Sequence, residues 1–168
     1  MDGIEYGAWV INRTFEQYLD TKFDTPSARI QLAATGLQES RFMDRVQVGG
    51  PAHSFWQMEK GGGVHGVLTS DVTRDLAVEL CAHFNVDATE DAVYDAIMLP
   101  QNDCLACGLA RLIYYADPQA LPTVGDVDGS WRCYIRNWRP GKPKPLTWPG
   151  NYATAQGQFN GSSTSSTG

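Results

Sequence analysis

Gly36-Leu37-Gln38-Glu39-Ser40-Arg41-Phe42, followed after a glycine-containing stretch by Ser54-Phe55-Trp56-Gln57, is the part of the chain whose reading decides the rest. Just upstream, Thr25-Pro26 supplies a hydroxyl cap and a proline at the first helical position, and Ile30, Ala33, Ala34 and Leu37 follow as a buried stripe. The pattern predicts a helix that ends near residues 39–42. Glu39 then sits at the end of an apolar helix, facing a glycine-rich and aromatic loop. Partial desolvation in such a place raises a carboxyl pKa, and a carboxyl that stays protonated acts as a general acid. The plainer reading of the same residue is a solvated glutamate at a helix terminus.

Working outward, Tyr6, Trp9, Val10, Phe15, Tyr18 and Leu19 share a face and predict an amphipathic helix over residues 5–19. Residues 43–66 lack a helical period and contain Gly49-Gly50-Pro51 and Gly61-Gly62-Gly63, so they read as a long central loop with a short strand at 45–48. Val72, Leu76, Leu80 and Phe84 recur every four residues and predict a helix over 70–84. The next starts at Thr89, buries Val93, Ala96 and Ile97, and stops at Pro100. A fifth, capped by Asn102 or Asp103, carries Leu105, Ala106, Leu109, Leu112 and Ile113 and ends at Asp117-Pro118. A sixth covers 129–138, with Trp131, Tyr134, Ile135 and Trp138 at i, i+3, i+4 and i+7 before Arg139-Pro140-Gly141. Four prolines between 140 and 149 predict an extended strap, and 161–168, which holds only Gly, Ser and Thr, reads as a disordered tail. The expected fold class is mostly α, α+β at most, in one domain over residues 1–160.

Composition agrees. The chain has 168 residues, 42% of them apolar, and a formal charge of -6, enough for one globular core without disulfides or a structural metal. No stretch approaches the roughly 20 apolar residues of a membrane span. Met1-Asp2-Gly3-Ile4-Glu5 has neither the basic nor the apolar region of a signal peptide, so no export signal is expected. The four cysteines are expected to be reduced. Charge is uneven: all 19 acidic residues lie at or before Asp128, whereas Arg132, Arg136, Arg139, Lys142 and Lys144 follow with no acid among them, interleaved with Trp131, Trp138 and Trp148. This basic, aromatic segment reads as core along a helix face, as a stacking surface for sugars, or as a grip on single-stranded nucleic acid. The overall negative charge weighs against nucleic acid.

The order Glu-Ser-x-Phe at a helix end, then a glycine-containing loop, then an aromatic pair before Gln resembles the lytic transglycosylase and goose-type lysozyme superfamily. Here the second motif is Ser54-Phe55-Trp56-Gln57, where that family reads Gly-Leu-Met-Gln or similar. Gln101-Asn102-Asp103-Cys104-Leu105-Ala106-Cys107-Gly108 is similar to the family's next helix, and Tyr134 stands where the family has a Tyr-Asn-Ala-Gly segment. The resemblance spans about residues 28–140. It implies a lysozyme-like helical domain that cleaves the glycan strands of peptidoglycan, with Glu39 as catalytic acid/base and Ser40, Phe55, Trp56, Gln57 and Tyr134 lining the substrate. It also implies no cofactor, no metal and no nucleic-acid partner. A phage-encoded product would fit a chain without a signal sequence, either virion-associated beside other virion proteins or held in the host cytoplasm before release to the cell wall. The alternatives are a hydrolytic muramidase of the same fold, and a catalytically silent virion-structural protein that binds an anionic polymer.

Hydrolysis calls for a second carboxylate, and Asp44 and Glu59 are the nearest in sequence. Cys104-Leu105-Ala106-Cys107 has the C-x2-C spacing of zinc ligands, with Cys81 and His83 as a conceivable second half. In a helix with small neighbours these thiols read more simply as core. His53 and His65 flank the loop and read as polar loop residues. Gly61-Gly62-Gly63 lacks the Lys-Ser/Thr of a phosphate-binding loop.

Overall fold

The computed structural model describes residues 1–160. Eight α-helices and no sheet form the described chain: α1 Gly3–Gln17, α2 Pro26–Ser40, α3 His65–Thr69, α4 Arg74–His83, α5 Glu90–Ala96, α6 Asp103–Tyr115, α7 Val127–Trp138 and α8 Trp148–Asn160. The mostly α class expected from the sequence is the class observed. No described helix is long and apolar enough to cross a membrane.

Helix α2 is the hub. The Thr25 hydroxyl accepts from the Ala28 amide at 3.1 Å, as its sequence predicts, and every residue from Ile30 to Gly36 is buried. A helix buried on all sides needs partners on all sides, and α1, α6, α7 and α8 supply them. Its two central polar side chains are satisfied internally. Gln31 donates to the Tyr114 hydroxyl (3.2 Å) and the Ser130 carbonyl (3.1 Å) and accepts from the Ser130 hydroxyl (2.6 Å), while Thr35 shares a 2.7 Å bond with Tyr114. These contacts fix α2 in register with α6 and α7.

The structure departs from the sequence reading in four places. Helix α8 starts in the last two residues of the expected strap and runs through 150–160, where no element was expected: Trp148, Tyr152 and Ala155 are buried against α2, and Pro149 is tolerated in the first turn, where its missing N–H has no intrahelical acceptor. The second half of the central loop is a π-helical turn, Lys60–Val64, running into α3. No strand forms at 45–48, only isolated bridges between Val46 and His53 and between His53 and Met58. Helices α4 and α5 are shorter than their periodicity, α4 starting at Arg74 and α5 ending at Ala96. The expected tail, 161–168, lies outside the described residues.

Candidate active site

The end of α2 is closed by its own following residues. Arg41 and Phe42 take left-handed backbone angles (φ 55° and 56°), which turn the chain so that the Phe42 ring folds back over α2 and α1. There it lies against Gly36 and Gly7: a Cβ on Gly36 would run into the ring, and one on Gly7 would stand 2.7 Å from it. The glycines are needed for this close approach. Ser40 completes the closure, donating its hydroxyl to the Phe55 carbonyl at 2.7 Å and accepting the Phe42 amide at 3.1 Å. Ser40 is buried, so it holds the loop rather than the substrate.

The loop that Ser40 holds is a tight hairpin. His53 and Met58 exchange two backbone bonds of 2.9 and 2.8 Å, and Ser54 and Gln57 both adopt positive φ (70° and 49°), which pushes Phe55 and Trp56 inward. Phe55 is 2% exposed and Trp56 0%, so neither lines a cleft, and this corrects the expectation that they contact substrate. They wedge the hairpin into the core instead. The Trp56 indole donates to the Leu32 carbonyl (2.9 Å), and the Trp56 carbonyl accepts the Trp138 indole (2.7 Å). Gln57 remains half-buried at the rim, its amide nitrogen bonded to the Ser54 (2.7 Å) and Asp44 (3.2 Å) carbonyls. Arg45 anchors the hairpin from outside by a two-pronged pairing with Asp103 at the start of α6, 2.8 Å on each prong, with its guanidinium over the Phe55 ring.

Across from the hairpin, Tyr134 on α7 donates its hydroxyl to Glu39 Oε1 at 2.6 Å, joining residues 95 apart in the chain. Tyr134 is 3% exposed and stacks on Trp148 at 4.8 Å between ring centres, so its ring offers no surface to a sugar; it positions Glu39. Burial raises the Glu39 carboxyl above the ordinary range, while the Tyr134 hydrogen bond and the nearby Lys144 charge pull it partway back. The Tyr134 phenol is itself pushed far up, by burial first and then by Glu39, so it remains a donor at any ordinary pH. Asp44 and Glu59 are exposed, and neither bonds to Glu39. Glu39 is the one carboxyl of this group set in a partly dry environment.

Sequence reasoning missed Gln38. Its amide nitrogen donates to the Lys144 carbonyl (3.0 Å), 106 residues away, and its amide oxygen accepts from Thr147 (3.0 Å) and Asn151 (2.8 Å). One side chain thus ties the proline-rich strap beside Glu39. Only their proximity in the fold, invisible in a linear reading, identifies the pair.

The remaining candidates lie elsewhere. Cys81, Cys104, Cys107 and Cys133 are free and buried, and burial pushes the Cys81 and Cys133 thiols up to about 11. No group of three His, Cys, Asp or Glu that could hold a metal occurs among the described residues. His53 stacks on Tyr94 with ring centres 3.8 Å apart, and His65 pairs with Glu90. A surface concavity of about 300 Å³ opens between Tyr6, Trp9, Arg13 and Gln101, and one of about 150 Å³ beside Tyr18 and Leu76; Glu39 borders neither. Compared with family models, curated proteins and solved structures, the chain gives no match.

Proposed function

We propose that the protein cleaves peptidoglycan glycan strands as a lytic transglycosylase with Glu39 as its single acid/base. The observation that carries this reading is the Glu39–Tyr134 pair, a carboxyl held above its ordinary pKa by burial and aimed by a phenol that cannot take its proton. Tyr134 occupies Oε1, which leaves Oε2 to carry the transferable proton. In the proposed first step Glu39 protonates the glycosidic oxygen, the bond from the muramyl C1 breaks, and the departing sugar leaves as an alcohol. The oxocarbenium-like C1 is then captured by the 6-hydroxyl of the same muramyl residue, whose proton returns to Glu39. The ring-closed 1,6-anhydro end forms and the acid is regenerated in one cycle.

That neither Asp44 nor Glu59 hydrogen-bonds to Glu39 or shares its partly dry setting supports this route over hydrolysis. A hydrolase of the inverting kind needs a second carboxylate about 6.5–9.5 Å away to activate water, and a retaining one needs a nucleophile at about 5–5.5 Å. A cell-wall clearing assay on the purified protein, with mass spectrometry of the released muropeptides, tests the proposal. Anhydro-muramyl ends are expected. Reducing ends carrying oxygen from labelled water would mean hydrolysis, and no release at all would favour a silent binding protein.

A further inference from the structure

The strap between α7 and α8 has little hold of its own on the fold. Trp138 and Trp148 anchor its two ends, but every residue from Gly141 to Thr147 is exposed, Leu146 to 94%, so no burial fixes the segment between them. Pro143 and Pro145 also remove two amide donors that could have tied it down. Among the described residues, the hydrogen bonds that reach 141–147 from the rest of the molecule all end on one side chain, that of Gln38. Its amide nitrogen donates to the Lys144 carbonyl (3.0 Å) and its oxygen accepts from the Thr147 hydroxyl (3.0 Å), so the grip closes on both sides of the Pro145-Leu146 turn. The same oxygen accepts from Asn151 near the start of α8 (2.8 Å). Gln38 is itself held in the last turn of α2, directly before Glu39.

What the grip brings to Glu39 is a charge. The titratable groups that face the Glu39 carboxyl are the Tyr134 phenol from α7, the buried Tyr114 phenol from α6 and the Lys144 ammonium from the strap, the one cation among them. We propose that Gln38 is a positioning residue: by clamping the strap it holds the Lys144 charge against Glu39, and releasing the clamp acts on that carboxyl as deleting the charge does. Lys144 favours the ionised carboxyl, against a burial that favours the neutral one. On a loose strap the same ammonium would be spread over many positions, and a charge contact through water fades with distance. A neutral amide suits the task. It supplies a donor for one carbonyl and an acceptor for two donors without setting a second negative charge beside Glu39. The consequence for turnover rests on the glycan-cleaving reading of Glu39: a held Lys144 eases release of the proton, and a freed one leaves Glu39 protonated to higher pH.

The test follows the titration of Glu39 in the full chain by NMR of carbon-labelled glutamate, with Glu39→Gln identifying its signal. Lys144→Met should move the Glu39 midpoint up by about half a pH unit, the scale of one solvent-screened charge contact. Gln38→Met keeps the length of the side chain but loses its hydrogen bonds, and should move the midpoint up by a similar amount with the circular dichroism spectrum unchanged. Because the two act through one contact, the double variant should add little to either single one. Thr147→Val removes one bond of the grip at an exposed site where folding is not at stake, and should give a smaller rise. An unmoved midpoint in Lys144→Met, or in both Gln38→Met and Thr147→Val, would overturn the proposal, as would fully additive shifts in the double variant. In muropeptide release, the alkaline limb of the pH profile should move up in parallel in Lys144→Met and Gln38→Met. The same titration shifts in a chain that releases no muropeptides would overturn the glycan-cleaving reading and keep the role of Gln38.

Discussion

Two carboxyl groups in this molecule, Glu39 at the end of α2 and Asp103 at the start of α6, each accept a tyrosine hydroxyl, from Tyr134 at 2.6 Å and from Tyr6 at 2.7 Å. What differs is the rest of the surroundings. Asp103 also receives both prongs of the Arg45 guanidinium, so each of its oxygens is committed and its negative charge is matched. Glu39 receives the tyrosine alone, with only the charge of Lys144 nearby. An aspartate held by a fork of N–H donors acts as a fastener between hairpin and helix. A glutamate with one oxygen spoken for and its charge unmatched is able to exchange a proton. The identity of the neighbours, more than burial itself, separates the structural acid from the one proposed to react.

The largest expected effect breaks the proposed acid. Glu39→Gln keeps an acceptor for Tyr134 but has no acid to donate, so muropeptide release should fall by at least about 100-fold with the circular dichroism spectrum unchanged. The fastener should answer differently: Asp103→Ala leaves Arg45 unmatched and should lower stability by about 3 kcal/mol in urea titration. Gly36→Ala should cost about 2 kcal/mol by the same measurement, because the Phe42 ring has nowhere to retreat and overpacking outweighs the gain in helix propensity. Tyr134→Phe removes one charge-assisted hydrogen bond and should slow turnover by about tenfold. It also frees Glu39 from a contact that lowers its pKa, so the alkaline limb of the pH–activity profile should move to higher pH.

The smallest effect concerns stability and pH. Because the folded-state pKa of Glu39 is raised, the folded chain holds this proton more tightly than the unfolded chain. The stability contributed by the neutral carboxyl is fully present below the unfolded value and is lost as pH rises through the folded one. Glu39→Gln should therefore melt at or above the wild-type temperature at pH 7, with the difference vanishing below about pH 4. A variant that melts lower than the wild type at neutral pH would mean that the ionised carboxylate is better solvated than its setting suggests, and would erase the contrast with Asp103.

How much of this was legible in the chain depended on whether a residue's surroundings are local. The helices from α1 to α7, other than the short, glycine-flanked α3, announce themselves through apolar spacing and caps such as Thr25 and Thr89, whose hydroxyls do accept the expected amides. Glu39 at a helix end was legible for the same reason. Helix α8 was hidden because Pro145, Pro149, Gly150 and Gly157 mask a stripe of Trp148, Tyr152 and Ala155, all buried, that stands at helical spacing. Phe55 and Trp56 were legible as important but not as core, since a loop has no period to say which way a side chain points. The Tyr134–Glu39 and Gln38–Lys144 pairs depend on packing between distant segments, and local pattern carries nothing about them.

The strap that Gln38 fastens beside Glu39 has a further property. Its two lysines, Lys142 and Lys144, and Arg139 at the end of α7 just before it, are each followed directly by a proline. The bond after each is a tertiary amide without an N–H. Digestive proteases that cut after arginine and lysine require an ordinary secondary amide at that point, so the most exposed basic stretch of the molecule presents them with three sites and no cut. In a medium rich in such enzymes, this exposed basic segment should survive longer than an ordinary loop of the same charge.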